Sequence, residues 1–590
     1  MKRIIGLLLL LTIVNIAFTQ QEQTIKWWNP TNNAIPVISG QAWPNEVASI
    51  YHRLPARVEK AVRVPVWNLS KQSAGLSIRF WTNAKNISVK YKVKGNLALP
   101  HMPATGVSGV DLYSKSYHGE WARCWGTYSI KKASNYEFII DDNTAAYNKY
   151  GREYQLFLPL YNEVDSLEIG VAEESFFTVQ SLRKEKPIVA YGTSICQGAC
   201  ASRPGMAWTN ILERKLERPV INLGFSGNGR LEPKLIELMT EIDAKLYILD
   251  CLPNIRPGKD DVYQLTLDAV KTLKEKRPTV PIILTAHIGY ANNSTNQKSK
   301  TEYLPYNKAL IRAFHALKVA GYTDIFLLQE ADLGLDFDSY VDYIHPNDVG
   351  MVEYADAYEA LIRKVLKENV GSISTTIPKT QSRDINVYKW EDRHQEILEL
   401  NRTAAPKICL FGNSITHFWG GAPKASIARG QDSWEDVMKP MGIRNFGYGW
   451  DRIENVLWRV YHDELAGFEA EKIVFMIGTN NLHLNTDKEI IEGLEELINA
   501  VSIRQPKADI LFIGILPRIE KEERVKRINL KISELADIAN IEYADIGEPL
   551  LLADGKIDAS LFTDGLHPNK EGYRMLAGQF QQILQQNKKE

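Results

Sequence analysis

From about Gln21 to Lys184 apolar and polar positions alternate with period two. Ile87-Ser88-Val89-Lys90-Tyr91-Lys92-Val93-Lys94 alternates without a fault, and residues 76–80, 154–158 and 167–171 are similar short runs bounded by Gly, Asn, Asp or Pro. Alternation puts every second side chain on one face of a strand, so residues 21–184 are expected to form an all-β sandwich or jelly roll. After Lys186 the rhythm changes to short, continuously apolar runs at 188–191, 220–223, 246–249, 282–284 and 325–328. Strands buried on both faces read this way, and parallel sheets require such strands. Segments such as 208–216 and 270–275 between them suit crossover helices.

The same series returns at 408–411, 443–446, 473–477, 510–513 and 541–544. The expectation is therefore multidomain: a β-sandwich followed by two doubly wound three-layer α/β/α domains of flavodoxin-like type, at 186–368 and 405–590. Residues 369–404 read as a linker whose stretch 371–378 is rich in Gly, Ser, Thr and Pro. Its second half, 388–401, carries a helical pattern leading into the second α/β domain. The repeat is far longer than a solenoid unit, which makes this a duplication of domains.

Composition adds limits. A chain of 590 residues exceeds the usual domain size several times over. Its 70 Lys plus Arg nearly cancel its 71 Asp plus Glu, so no overall field would draw it to nucleic acid or an anionic bilayer. Lys2 and Arg3, an apolar stretch from Ile4 to about Ile16, and Ala17-Phe18-Thr19 read as a secretory signal at 1–19, which implies export to a periplasmic or extracellular space. Thr12 and Asn15 interrupt a run already short of the roughly 20 apolar residues a membrane span needs. Five cysteines are too few for a disulfide scaffold and odd in number. Cys196, Cys200 and Cys251 are open to two readings, a disulfide or small buried thiols. No CxxC pair or His/Cys cluster has metal-ligand spacing, so neither a metal nor a cofactor is expected.

The chemistry lies in a constellation that occurs twice. Gly192-Thr193-Ser194-Ile195 follows one apolar run and is answered by Asp342-x-x-His345-Pro346-Asn347-x-x-Gly350; Gly412-Asn413-Ser414-Ile415 is answered by Asp564-x-x-His567-Pro568-Asn569-x-x-Gly572. Ligands collect outside the carboxyl ends of strands in an open parallel sheet, and each serine stands there, at the entry to a helix. A hydroxyl needs a neighbouring base to become a nucleophile. His345 and His567 are the expected bases, with Asp342 and Asp564 fixing the imidazole tautomer. Two stations fall between: Asn222-Leu223-Gly224-Phe225-Ser226-Gly227 against Asn445-Phe446-Gly447-Tyr448-Gly449, then Asn254 against Asn480. A glycine N–H, an asparagine amide and the serine's own N–H would make a three-donor oxyanion hole from Gly227 and Asn254 in one copy and Gly449 and Asn480 in the other.

These four ordered blocks resemble the SGNH hydrolase superfamily, the GDSL esterases, in which Ser, Gly, Asn and His define the site. The resemblance covers about 186–368 and 405–590, and the second copy looks closest to the platelet-activating-factor acetylhydrolase-like branch. The region ahead is similar to the β-sandwich found before such domains in exported bacterial esterases. The family's usual Gly-Asp-Ser appears here as Gly-Thr-Ser and Gly-Asn-Ser, and Leu252-Pro253 replaces the glycine before Asn254. The resemblance implies a cofactor-free serine esterase acting on O-acetyl esters of a polysaccharide or oligosaccharide. A lipid or aryl esterase, and a glycan-binding protein with one or both hydrolase domains inert, are the alternatives.

Three further residues are open to two readings each. His417, one turn beyond Ser414, is a substrate contact or a supporting residue. Trp419 and Trp450 flank the second site and either stack on a sugar ring or pack in the core.

Overall fold

The computed structural model of the protein describes residues 24–140, 150–256 and 258–586. The expected signal segment at 1–19 lies outside the described residues. Among the described residues the chain builds four sheets, two antiparallel and two parallel.

The antiparallel pair is the sandwich. One sheet runs Ile25–Trp28, Val164–Ala172, Asn86–Val93, Ala133–Ile139, Gly126–Ser129; the other runs Phe177–Val179, Ser77–Thr82, Arg152–Phe157, Asp111–Lys115, Trp121–Arg123. The alternating residues Ile87, Val89 and Tyr91 are buried against Ile78, Phe80, Leu112 and Leu156 of the facing sheet, as their period predicts.

Each parallel sheet has five strands. The first runs Val220–Gly224, Ile188–Gly192, Leu246–Asp250, Ile282–Thr285, Ile325–Leu328; the second runs Ile443–Gly447, Ile408–Gly412, Lys472–Met476, Asp509–Ile513, Glu542–Ala544. Both have the 2-1-3-4-5 order of a flavodoxin-like fold, whose switch point lies beside the first strand. That is where both serines stand.

The sandwich is fused to the first parallel unit. Trp43, Leu54, Val66 and Trp67 share one core with Val189, Leu223 and Phe225. Buried Arg53 donates to the carbonyls of Asn222 (3.1 Å) and Gly224 (2.8 Å), holding the end of the edge strand. The Tyr161 hydroxyl donates to the Ser194 carbonyl at 3.2 Å.

The segment between the α/β units is docked, in contrast to the free linker that its composition suggests. Thr375 is buried and its hydroxyl donates to the Glu489 carbonyl at 2.7 Å. Ser382 N–H donates to the Tyr117 carbonyl, and Glu391 accepts from Arg79 of the sandwich at 2.5 Å. Turn formers mark the boundary, but their short side chains also find partners on the surfaces they cross. The expected helix is Trp390–Thr403, with Trp390 and Ile397 buried in the second unit's core.

All five cysteines are free and buried, so Cys196, Cys200 and Cys251 are thiols. Among the described residues no helix is long and apolar enough to cross a membrane.

Candidate active site

Each Gly-x-Ser turn is built by a close approach and a cap. A side chain at Gly192 would meet the Asp250 carbonyl at 2.7 Å, and one at Gly412 would meet the Thr416 side chain. The middle residue is the helix N-cap: Thr193 Oγ1 accepts from Ile195 N–H (3.3 Å), and Asn413 Oδ1 accepts from Ile415 N–H (2.8 Å). Thr, Asn and Asp all serve at an N-cap, so the cap survives where Thr or Asn stands in place of the aspartate of Gly-Asp-Ser. Ser194 and Ser414 occupy the first helical position, where backbone N–H groups have no intrahelical partner.

The relays are complete in both copies. Ser194 Oγ lies 2.9 Å from His345 Nε2, and His345 Nδ1 lies 2.8 Å from Asp342 Oδ2. Ser414 Oγ lies 2.8 Å from His567 Nε2, and His567 Nδ1 lies 2.7 Å from Asp564 Oδ2. The free carboxylate oxygen accepts two backbone N–H groups, from Ile344 and His345 in one copy and Leu566 and His567 in the other. Burial would raise the Asp342 and Asp564 carboxyls, but hydrogen bonds from their histidines and these amides outweigh it and hold both below the usual carboxylate value. An ionised carboxylate fixes the proton on Nδ1 and leaves Nε2 to accept from serine.

The end of the motif is structural. Pro346 and Pro568 bridge to Tyr340 and Phe562, and Asn347 and Asn569 cap the closing helix by accepting from the amides two and three residues on. The prolines therefore precede the cap; they do not occupy the first helical turn. A side chain at Gly350 would meet the Ser339 carbonyl at 2.3 Å, and one at Gly572 the Leu561 carbonyl at 2.5 Å.

The second station requires a correction. Gly449 does not supply the oxyanion N–H, because that amide donates to His417 Nδ1 at 3.0 Å. In the first copy the matching bond runs from Ser226 N–H to Gln197 Oε1, also 3.0 Å. Gly449 thus corresponds to Ser226, and the counterpart of Gly227 is Trp450. Both stand three residues past the strand in the left-handed region, φ +68° for Gly227 and +63° for Trp450, and neither N–H has a partner among the described residues. Holding a tryptophan there costs about 1–2 kcal/mol. Asn254 Oδ1 accepts from Gly229 N–H (3.2 Å), leaving its amide free to donate. Asn480 spends one amide hydrogen on the Asp451 carbonyl (3.0 Å) and keeps the other.

Residues 185–363 and 410–575 each match the profile of the GDSL-like Lipase/Acylhydrolase family, and residues 25–177 match a profile described as the N-terminus of Esterase SGNH hydro-type. A Bacteroides ovatus protein assigned as a GDSL-like lipase has a crystal structure that superposes with a TM-score of 0.53 at 33% identity, over 58% of this chain and 98% of that one. The chain belongs to the SGNH hydrolase superfamily. It is also similar to platelet-activating factor acetylhydrolase IB subunit alpha2 of Homo sapiens, 28% identical over 203 residues, 34% of this chain and 84% of that protein. Subunit alpha1 of Bos taurus is 25% identical over 211 residues, 35% of this chain and 85% of its own length.

Within this SGNH hydrolase the remaining candidates separate. Trp419 is fully buried against Trp434, Tyr573 and Phe580, so it is core and not a substrate contact. Trp450 is 50% exposed and stays available at the second site. His417 is buried, and burial, aided by Arg393 and Arg459, pushes its imidazole down to about 2. It is a buried, neutral acceptor that holds the Gly449 amide, next in the chain to that of Trp450. Glutamine at 417 reproduces the first copy's bond, so His417→Gln is expected to keep second-site turnover. His417→Leu leaves a buried N–H unpaired and is expected to cost about 1–3 kcal/mol, mostly in kcat with KM nearly unchanged. Steady-state kinetics in a Ser194→Ala background read both.

The second base also carries a pH signature. Burial lowers His567 below its ordinary value, and although Asp564 raises it, Arg429 and Arg518 add to the lowering. A base must be neutral to act, so activity falls as pH drops through this pKa. In the Ser194→Ala variant the acid limb of kcat/KM is expected to centre below 6.5, the ordinary histidine value; a limb centred at or above it refutes the environment described.

Residue spacing showed no metal-ligand cluster, yet the fold gathers one donor set beside the first relay. His101, Cys200 and His345 each present a ligand atom, all within 4.8 Å of one another.

Proposed function

We propose that the protein is an exported carbohydrate esterase with two active sites, each removing O-acetyl or similarly short acyl esters from a polysaccharide or oligosaccharide. The observation that carries the reading is the pair of relays, each with serine, histidine and aspartate joined at 2.7–2.9 Å. In each, serine Oγ attacks the ester carbonyl as histidine Nε2 takes its proton. The tetrahedral oxyanion is held by the serine N–H, the N–H of Gly227 or Trp450, and the amide of Asn254 or Asn480. The imidazolium then protonates the departing alcohol oxygen, and a water deprotonated by the same histidine releases the acid. No cofactor enters any step.

Short acyl groups are favoured by the similarity to acetylhydrolases. A sugar is favoured by the half-exposed side chain of Trp450, a residue three past the second strand's end, because an exposed indole ring stacks on sugar faces. Acetate release across a panel of native acetylated polysaccharides tests the proposal. Release from at least one, with little activity on long-chain acyl or aryl esters, is expected. Preference for long-chain or aryl esters would make it a lipid or aryl esterase, and inactivity on every ester together with glycan binding would make the relays inert.

A further inference from the structure

The donor set beside the first relay is assembled from three distant segments. His101 sits on the turn closed by Leu99 and Met102, Cys200 follows the nucleophile helix, and His345 is the proposed base. The cluster is built, not incidental. The His101 and His345 rings stack with centroids 5.4 Å apart, and the Cys200 thiol donates to the His101 carbonyl at 3.3 Å. Cys200 is buried and held at φ +70°, in the left-handed region that a non-glycine residue seldom adopts.

Two imidazoles and a thiolate with a fourth position open are the ligands of zinc and similar soft divalent cations. Ligand atoms around tetrahedral zinc stand about 3.3–3.6 Å apart, so donors within 4.8 Å need close by no more than about 1.5 Å. We propose that this is an inhibitory site for a zinc-class cation. His345 Nδ1 is committed to Asp342, so the ring binds metal through Nε2, the nitrogen that accepts from Ser194. The cation takes that lone pair, Cys200 gives up its thiol proton to solvent, His101 adds a neutral nitrogen, and Ser194 is left without a base. No bond is made or broken in the substrate. Removing the metal restores the relay.

Among the described residues the second relay has no such set. Six residues past Ser414 stands Gly420 where Cys200 follows Ser194, and the ring near His567 is Phe418, centroids 5.7 Å apart. Among the described residues no other His, Cys, Asp or Glu group meets the same criterion. The cation therefore acts on one site and spares the other. The binding stands by itself, whereas the inhibition rests on the esterase reading.

Two measurements on the full chain keep those parts distinguishable. Titrated with Co²⁺, the protein is expected to show a thiolate-to-cobalt charge-transfer band saturating at one equivalent, unchanged in Ser194→Ala and lost in Cys200→Ser and in His101→Ala. Absence of the band, or its survival in Cys200→Ser, overturns the site even if no ester is ever cleaved. With Zn²⁺, ester hydrolysis by Ser414→Ala, which reports the first site, is expected to fall at least about tenfold at concentrations that leave Ser194→Ala unchanged. EDTA restores it, and adding Cys200→Ser shifts the inhibitory concentration upward by about tenfold or more. Equal inhibition of both variants, or stimulation of the first site, overturns the inhibitory role.

Discussion

Ser194→Ala combined with Ser414→Ala is expected to lower ester hydrolysis by roughly 10⁴- to 10⁶-fold, whereas either substitution alone leaves the other site's activity. The size follows from how each relay works. Histidine Nε2 accepts from a hydroxyl at 2.8–2.9 Å, and without that oxygen no acyl-enzyme forms. What survives is the oxyanion donors and binding, which act without a nucleophile. Alanine fits without strain, because each serine is at a first helical position with its cap supplied by Thr193 or Asn413. The fold should therefore persist, and circular dichroism with a thermal scan confirms it. Kinetics on one acetyl ester separate the outcomes. Full loss in one single variant shows the other copy silent on that substrate, and substantial turnover by the double variant sinks the serine mechanism.

The largest stability effect is expected at Arg459. Its guanidinium is fully buried, bonded to Asp451 Oδ2 (3.0 Å) and Glu464 Oε2 (2.7 Å), and stacked 3.9 Å over the Tyr448 ring. Glu464 also accepts from His394 and Tyr448, and Asp451 from Trp390 and Gln381. Arg459→Met leaves two carboxylates in the core without their cation. Burial already pushes Asp451 up to about 6 with the arginine present, so in its absence that carboxyl would take a proton. Breaking a buried pair by removing one partner costs about 3–5 kcal/mol. The shift in the urea or thermal transition of the second α/β unit measures it. Adding Asp451→Asn and Glu464→Gln is expected to recover much of the loss, because neutral groups need no counter-ion. A single variant within about 0.5 kcal/mol of wild type refutes the account. Second-site turnover should fall as well, since the Asp451 carbonyl holds the Asn480 amide beside Trp450.

Much of the site was legible in the chain because its chemistry is local. Asp342 and His345, or Asp564 and His567, meet across three residues of one turn, and the glycines and asparagines that shape that turn lie in the same motif. Strand positions were legible for a similar reason, since runs such as 188–191 and 408–411 are apolar throughout only where both faces are covered. The errors are equally specific. The motif after the second strand pairs Gly449 with Gly227, and the bond from Gly449 to His417 shows the register to be one residue later, at Trp450. Of the two readings open for Trp419 the core is the one realised, because its ring turns inward to Trp434 and Phe580.

By itself the sequence determined the sandwich, the duplicated parallel domains and the membership of Ser194, Asp342, His345, Ser414, Asp564 and His567 in two ordered sets. Periodicity and short-range motifs encode those features, and both survive without knowledge of distant contacts. Only the tertiary structure decided which backbone amides remain free, that the 371–378 segment is docked, and that His101 and Cys200 flank one base while no such pair flanks the other. Those outcomes depend on segments far apart in the chain, whose approach is set by how the sheets and their covering elements pack and not by any local pattern.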